Sequence, residues 1–465
     1  MSEVRLTVRR VADAVRGRIT SGDQGLAIEN VVTDTRTLQP GDFLVALRGP
    51  RFDAHDFVAD ALAKGAVGAM VEPGRVPPGT IGAIVEVDDT LKALQDLAYA
   101  VRVEAGAKVV AITGSAGKTT TKEAIAELLS TRFRVVKNKG NLNNHIGLPL
   151  SLMQLRSGPD VAVMELGMNH AGEISRLVAI SEPDVRVWTN VGDAHLGFFV
   201  SPDAIADAKA EILERAGRNH VLVANADDPR VMARVGGFAG RTLTFGTTEG
   251  ATVRAMDVQD LGVRGMSARM STPAGRRTIE TPLLGRGNLS NVLAAAAVAL
   301  DAGIELEAIV RAIARLQPAD RRGSVRRLRD GVTLIDDSYN SSPAALRRAL
   351  EVLARDTGAA RKVAVLGEML ELGEHATALH ADCGRAAAES GVRVLFTVGG
   401  APARAMAEAA IAAGLPPTAV THFDKSDAAA PAVAGSVRAG DLVLVKGSRG
   451  TRTDVVADRI VAEFA

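Results

Sequence analysis

Residues Gly114-Ser115-Ala116-Gly117-Lys118-Thr119-Thr120 have the types and spacing of a loop that cradles phosphate. An apolar run ending at Ile112 leads into them, and the helix-forming stretch TTTKEAIAELLS follows at once. Glycines let backbone N–H groups turn toward phosphate oxygens, and the N-terminus of the following helix adds partial positive charge. Lys118 is placed to neutralise the outer phosphates, and the Thr119 hydroxyl can ligate Mg²⁺. Two residues separate the glycines where the commoner pattern has four, which disfavours many kinases and GTPases. The bland alternative is a tight strand-to-helix turn with an incidental lysine.

In an open parallel sheet, ligands gather at the carboxyl ends of the strands. Glu165 ends the apolar run VAVME, and His195 follows VWTNVGDA, so both can face the same edge as the loop. A hard cation takes oxygen ligands and tolerates imidazole, which makes Thr119, Glu165 and His195 a plausible Mg²⁺ set. Lys209, in ADAKAEIL, reads from spacing alone as a solvated helix lysine.

The elements that must position these groups repeat. KVVAITG, VAVMELG, VRVWTNVG and HVLVANADD read as buried strands of a parallel sheet, separated by amphipathic helical stretches. GVTLIDDSY, RKVAVLGEM, VRVLFTVGG and DLVLVKGSRG form a second such series. Between the two lie an alternating segment at QDLGVRGMSARMSTPAGRRTIETPLLG and a buried helix at NLSNVLAAAAVALDAG. The first hundred residues hold shorter strands and a helix of their own.

The chain is therefore expected to be α/β, with three domains at 1–104, 105–317 and 318–465. These are a small α/β N-terminal unit, a central phosphate-loop ATPase unit with a parallel sheet, and a Rossmann-like C-terminal unit.

Bulk properties narrow the function classes. The 55 Lys and Arg against 54 Asp and Glu leave a net charge of +1, so no global field argues for nucleic acid or an anionic membrane. Aromatic residues are 3%, too few for a base-stacking platform. Cys383 is the only cysteine, which excludes an internal disulfide and fits a reducing compartment. With no signal peptide and no long apolar span, a cytoplasmic protein without integral membrane association is expected.

Taken in order, TDTRTLQPGDFLVAL, TGSAGKTTTKE, NKGNLNNHIGLPLSL, ELGMNHAGEI, NVGDAHLGFF, AKAEI, GRGNLSNVLAA, DDSYNSSP, LGEMLELG and VLVKGSRG resemble the Mur ligase family across nearly the whole chain. ELGMNHAGEI and DDSYN point to the branch that adds D-alanyl-D-alanine, because the phosphate loop is shared with the sibling ligases and with folylpolyglutamate synthetase. The resemblance implies a UDP-binding first domain, a central ATPase domain and a C-terminal domain that closes over the site.

It also implies roles for residues. Gly114 to Thr120 would hold ATP, with Lys118 on the β/γ-phosphates. Thr119 and Glu165 would hold one Mg²⁺, and His195 a second together with a carbamylated Lys209. Asn288 and Asn291 would lie near adenine, Arg321 or Arg322 near the γ-phosphate, and Asp337 near ribose. Thr33, Asp34, Arg36, Asn143 and Asn144 would contact the UDP-linked precursor, and Tyr339 and Asn340 the dipeptide. The sequence departs from the family pattern at Gly287, where histidine is frequent, and at Ser341-Ser342, Thr453-Asp454 and Glu368.

The activity so implied is ATP-dependent ligation of D-alanyl-D-alanine to UDP-N-acetylmuramoyl-tripeptide through an acyl-phosphate. A monomer with small-molecule partners is expected. The competing readings are a sibling amide ligase, a phosphate-loop ATPase that makes no bond, and an inert scaffold.

Overall fold

A computed structural model describes residues 3–76, 80–192 and 199–465 and arranges their strands in three sheets. The first has five strands in the order Arg18–Ser21, Ala83–Glu86, Gly68–Val71, Phe43–Val45, Val31–Val32. All neighbours are parallel except the first pair. Residues 33–36 leave the carboxyl end of the last of these strands.

The second sheet carries the phosphate loop. Its parallel part runs Val135–Lys137, Val161–Glu165, Lys108–Thr113, Val185–Trp188, Val221–Asn225, Arg241–Gly246 and Val253–Asp260. The antiparallel strands Met266–Thr272 and Gly275–Thr281 extend it, as the alternation in that segment predicts. Lys108–Thr113 lies between Val161–Glu165 and Val185–Trp188, so the chain reverses direction across the sheet there. Such a reversal opens a crevice at the strands' carboxyl ends.

Helices Lys118–Ser130 and Gly285–Asp301 cover one face and pack on each other. The run Ala294–Ala297 is fully buried, its small side chains allowing close approach.

The third sheet runs Ser324–Arg327, Thr333–Asp337, Asp441–Lys446, Arg361–Gly367, Val394–Val398, Val420–Phe423, parallel except for the first pair. Asp441–Lys446, last in sequence, inserts between the second and fourth of these strands. It thereby brings the ends of Thr333–Asp337 and Asp441–Lys446 side by side.

Helix Thr90–Ala105 joins the first two units. Asp89 caps its start by accepting from the N–H groups of Leu91 and Lys92, and Gly106 ends it in the left-handed region. Its buried face packs on helix Val8–Val15 on one side and on Gly147–Leu152 and Glu173–Ser181 on the other. Burial of Leu94, Leu97 and Val101, each contributing roughly 1.5–3 kcal/mol, fixes the small unit to the central one. Among the described residues, no helix is long and apolar enough to cross a membrane.

Candidate active site

Two glycines shape the loop after Lys108–Thr113. Gly114 has φ +150°, and a Cβ there would lie 1.9 Å from Thr189 Oγ1. Gly117 has φ +82°, and its Cβ would lie 2.3 Å from Asn291 Oδ1. Residues just past the neighbouring strand hold the loop's curve. Asn190 accepts from the Ser115 N–H (3.0 Å, at its carbonyl) and the Ala116 N–H (2.9 Å, at Oδ1), and its own Nδ2 donates to the Ala116 carbonyl at 3.0 Å.

The amides of Ser115 and Ala116 are thus engaged within the protein. Helix Lys118–Ser130 starts at Gly117 with no side-chain cap. An uncapped first turn leaves amide donors free for an anion, so the donors that face a phosphate lie at 117–120.

Lys118 Nζ donates to the Gly114 carbonyl at 2.8 Å, folded back along the loop. Burial holds its pKa below the usual lysine value; Glu165 opposes that shift and Arg322 adds to it. Thr119 Oγ1 donates to Glu165 Oε2 at 2.8 Å, and Asn143 Nδ2 donates to Glu165 Oε1 at 2.8 Å.

Asn138, which sequence reasoning left unassigned, braces this carboxylate from behind. Its Oδ1 accepts from the Glu165 N–H at 3.0 Å, and its Nδ2 donates to the carbonyls of Leu142 (2.9 Å) and Glu165 (3.2 Å). Buried Lys122 donates to the Asn138 carbonyl at 2.7 Å. The signal available was an asparagine-rich turn, NKGNLNN, directly before the next helix.

Lys209 ends helix Pro202–Ala210, which Ser201 caps, and is 1% exposed. The expectation of a solvated helix lysine from spacing alone does not hold, because the residue is turned into the core. Burial, and then the charge of Lys118, holds its pKa well below the ordinary value. Among the described residues it has no carboxylate partner. His195 lies outside the described residues.

A cavity of about 670 Å³ extends from the loop to the third unit. Ser115 to Thr120, Asn143, Asn144, Glu165, Asn288, Asn291, Arg322, Asp337, Tyr339 and Asn340 all line it. Asn288 and Asn291 form a ladder: Asn291 Nδ2 donates to Asn288 Oδ1 at 3.1 Å, and Asn288 Nδ2 to the Leu284 carbonyl at 2.9 Å. Asn144 Oδ1 accepts from the Gly147 N–H at 2.8 Å, at the first residue of helix Gly147–Leu152.

The two candidate arginines are placed differently. Arg321 turns to Asp458, with contacts of 3.0 and 3.1 Å. Arg322 faces the cavity, its guanidinium carbon 4.2 Å from the centre of the Tyr339 ring. Arg449 lies over the same ring at 5.9 Å. Asp337 accepts from Lys446 Nζ at 2.6 Å, and Lys446 also donates to the Asn340 carbonyl at 3.0 Å. Ser341 Oγ is buried in the same lining with no hydrogen-bond partner among the described residues.

Thr33, Asp34 and Arg36 are not in this lining. Asp34 and Arg36 pair with each other at 2.5 Å, and that hydrogen bond lowers the Asp34 pKa to about 2.

For a divalent ion, no group of three His, Cys, Asp or Glu that could hold a metal occurs among the described residues. One carboxylate and one hydroxyl, Glu165 and Thr119, at the mouth of a phosphate loop do suit Mg²⁺, which keeps several waters and shares ligands with bound phosphates.

A loop that receives phosphate on a helix N-terminus, facing a second α/β unit across one cleft, defines a multidomain nucleotide-binding enzyme. The Mur ligase middle domain matches residues 112–299, and the Mur ligase glutamate ligase domain matches residues 321–449. The chain belongs to the Mur ligase family.

Within that family it is 33% identical to the Bacillus subtilis (strain 168) protein named UDP-N-acetylmuramoyl-tripeptide–D-alanyl-D-alanine ligase, over 98% of this chain and 99% of that one. It superposes on MurF from Acinetobacter baumannii with a TM-score of 0.89 at 33% identity, covering 99% of this chain and 100% of the other. MurF ligase from Thermotoga maritima, solved in complex with ADP, gives a TM-score of 0.82 at 31% identity, covering 93% and 97%.

Proposed function

We propose that this protein joins D-alanyl-D-alanine to UDP-N-acetylmuramoyl-tripeptide with conversion of ATP to ADP and phosphate, a cytoplasmic step of peptidoglycan precursor synthesis. The observation that carries the reading is the single cleft onto which the phosphate loop, Glu165 and the DDSYN and KGSRG segments all open. A bond-forming ligase needs both walls of that cleft, whereas an ATPase that makes no bond needs only the first. Folylpolyglutamate synthase from Mycobacterium tuberculosis is 18% identical with a TM-score of 0.63, a likeness of fold alone.

A carboxylate does not condense with an amine in water unaided. The tripeptide's terminal carboxylate oxygen attacks the γ-phosphorus, the bond from that phosphorus to the ADP oxygen breaks, and an acyl-phosphate forms. The dipeptide amine then attacks the acyl carbon, phosphate leaves with the C–O bond, and the nitrogen loses a proton. Uncapped amides at 117–120 bind the phosphates, and Lys118 and Arg322 offset the negative charge that accumulates between them.

Two Mg²⁺ ions would draw charge from the phosphates, one held by Thr119 and Glu165 and the other by His195 and a carbamylated Lys209. Burial that disfavours the charged ammonium of Lys209 favours the free amine that carbamylation requires. Asp337 would meet ribose; Tyr339 and Asn340, with the orphan hydroxyl of Ser341, would meet the dipeptide. Thr33, Asp34 and Arg36, with Asn143 and Asn144, would bind the UDP-linked precursor. The three units, with boundaries near residues 104 and 317, act together as a monomer.

The test measures ADP and phosphate release from MgATP and UDP-N-acetylmuramoyl-tripeptide, with and without D-alanyl-D-alanine, and follows product by mass. Dipeptide-dependent turnover with a pentapeptide product is expected. Turnover that another amine supports in its place reassigns the chain to a sibling ligase, and hydrolysis indifferent to any amine reassigns it to an ATPase.

A further inference from the structure

The cavity continues past the phosphate loop into a slot between two helices, and the slot's walls are of unequal character. On the central side, Asn291 abuts Gly117, and the cavity follows one face of helix Gly285–Asp301 back through Asn288 to Gly287. Four residues of helix are about 6 Å, so Gly287 lies roughly a ribose length from the loop. On the opposite side, Ala345, Arg348, Ala349 and Val352 of helix Pro343–Arg355 line the slot, spaced as one helical face. Apart from Arg348 this second wall is small and apolar, and the gap is narrow: a Cβ on Gly285 would lie 3.0 Å from Val352 Cγ2.

Arg348 is the exception on its face. A Cβ on Gly287 would lie 3.3 Å from both Arg348 Cδ and Nη1 and 3.8 Å from Cζ, so the arginine lies across the glycine. Its helix neighbours Arg347 and Arg355 pair with Asp382 at 3.8 Å and Asp260 at 3.3 Å. Arg348 has no carboxylate partner among the described residues. An exposed planar cation without a counter-ion, lying along the open side of a narrow slot beside Ala345, Ala349 and Val352, suits the face of a flat heteroaromatic ring.

We propose that Arg348 closes the purine end of the nucleotide site, its guanidinium lying against the face of the adenine in the space that Gly287 leaves open. The inference rests on the nucleotide reading of the cavity. It extends the C-terminal unit's share of the ATP site from the phosphates and ribose, met by Arg322 and Asp337, to the base. It also gives Gly287 a purpose, because any side chain there competes with the arginine for one place.

The test is calorimetric binding of ADP and of inorganic tripolyphosphate, each with Mg²⁺, to the full chain and to Arg348→Ala and Arg348→Lys. Arg348→Ala is expected to weaken ADP about three- to thirtyfold and to leave tripolyphosphate within about twofold. Arg348→Lys, which keeps the charge without the plane, is expected to bind ADP more weakly than the parent with tripolyphosphate unchanged. Unchanged ADP affinity in Arg348→Ala overturns the inference, as does equal weakening of both ligands, which makes Arg348 a remote charge. A parent chain that binds neither ligand overturns the nucleotide reading itself, and this inference with it.

Discussion

The two walls of the cleft are built in opposite ways. On the central wall nearly every polar group is already committed: Asn190 to the loop, Thr119 and Asn143 to Glu165, Asn138 to the backbone beneath it. On the C-terminal wall Arg322, Arg348 and Arg449 line the cavity without a carboxylate partner among the described residues, two of them sharing the ring of Tyr339. A wired wall holds charges in place before substrate arrives, at no reorganisation cost during reaction. A wall of unpaired planar cations takes its final arrangement from the ligand. The contrast suits an enzyme that must grip a triphosphate and then admit a second substrate from the other side.

The largest effect should come from the wired wall. Lys118→Ala is expected to lower the rate of product formation at least about 100-fold, the scale for loss of one preorganised charge-stabilising group. Its melting temperature should stay near the parent's, since burial of Lys118 is itself unfavourable. A rate within tenfold of the parent would mean that the loop amides suffice.

Asn138→Ala comes next. The buried side chain makes three hydrogen bonds, and its removal takes the partner from the Glu165 N–H and one donor each from the Leu142 and Glu165 carbonyls. A loss of about 1–3 kcal/mol in urea unfolding is expected, with a higher Mg²⁺ requirement as Glu165 loses its brace.

Lys209 sharpens the comparison through pH. Its folded pKa lies well below the ordinary lysine value of 10.5, so between the folded and unfolded values the unfolded chain binds the extra proton. Stability should therefore rise with pH through that window and level off above the unfolded value. In metal-free, bicarbonate-free buffer, Lys209→Met should flatten the rise and increase the melting temperature at pH 7, while abolishing turnover under assay conditions. An unchanged pH slope would place the charge elsewhere.

The smallest effect on the fold belongs to the other wall. Arg449→Ala should change unfolding free energy by no more than about 0.5 kcal/mol, yet raise the KM for the dipeptide. A loss of stability without a change in KM would mean that Arg449 packs the wall and does not recognise substrate.

Much of this was legible from local signals. A strand, a short glycine loop and a helix are consecutive in sequence, so the loop from Gly114 to Thr120 and the lysine at 118 could be read directly. Buried parallel strands announce themselves as apolar runs, and each run read as a strand is one, whereas the less apolar Arg241–Gly246, Val253–Asp260 and Val420–Phe423 were not read. Short strands such as Val135–Lys137 carried too few residues to show a pattern. Asn138 and Asn190 read as turn residues, since asparagine is common in turns for backbone reasons. Lys209 read as a surface lysine because its helix is amphipathic only in the context of what covers it.

The sequence by itself determined the class of chemistry, because phosphate binding needs backbone geometry that glycine and a helix start encode within a few residues. Tertiary structure decided which groups share the cleft. The strand order brings Thr189 and Asn190 beside Gly114, and insertion of Asp441–Lys446 beside Thr333–Asp337 joins Lys446 to Asp337. It also decided that Arg322 faces the cavity while Arg321 turns to Asp458, and that Arg348 crosses Gly287. Those pairings join residues far apart in the chain, and only the packing of whole sheets and helices sets the distances between them.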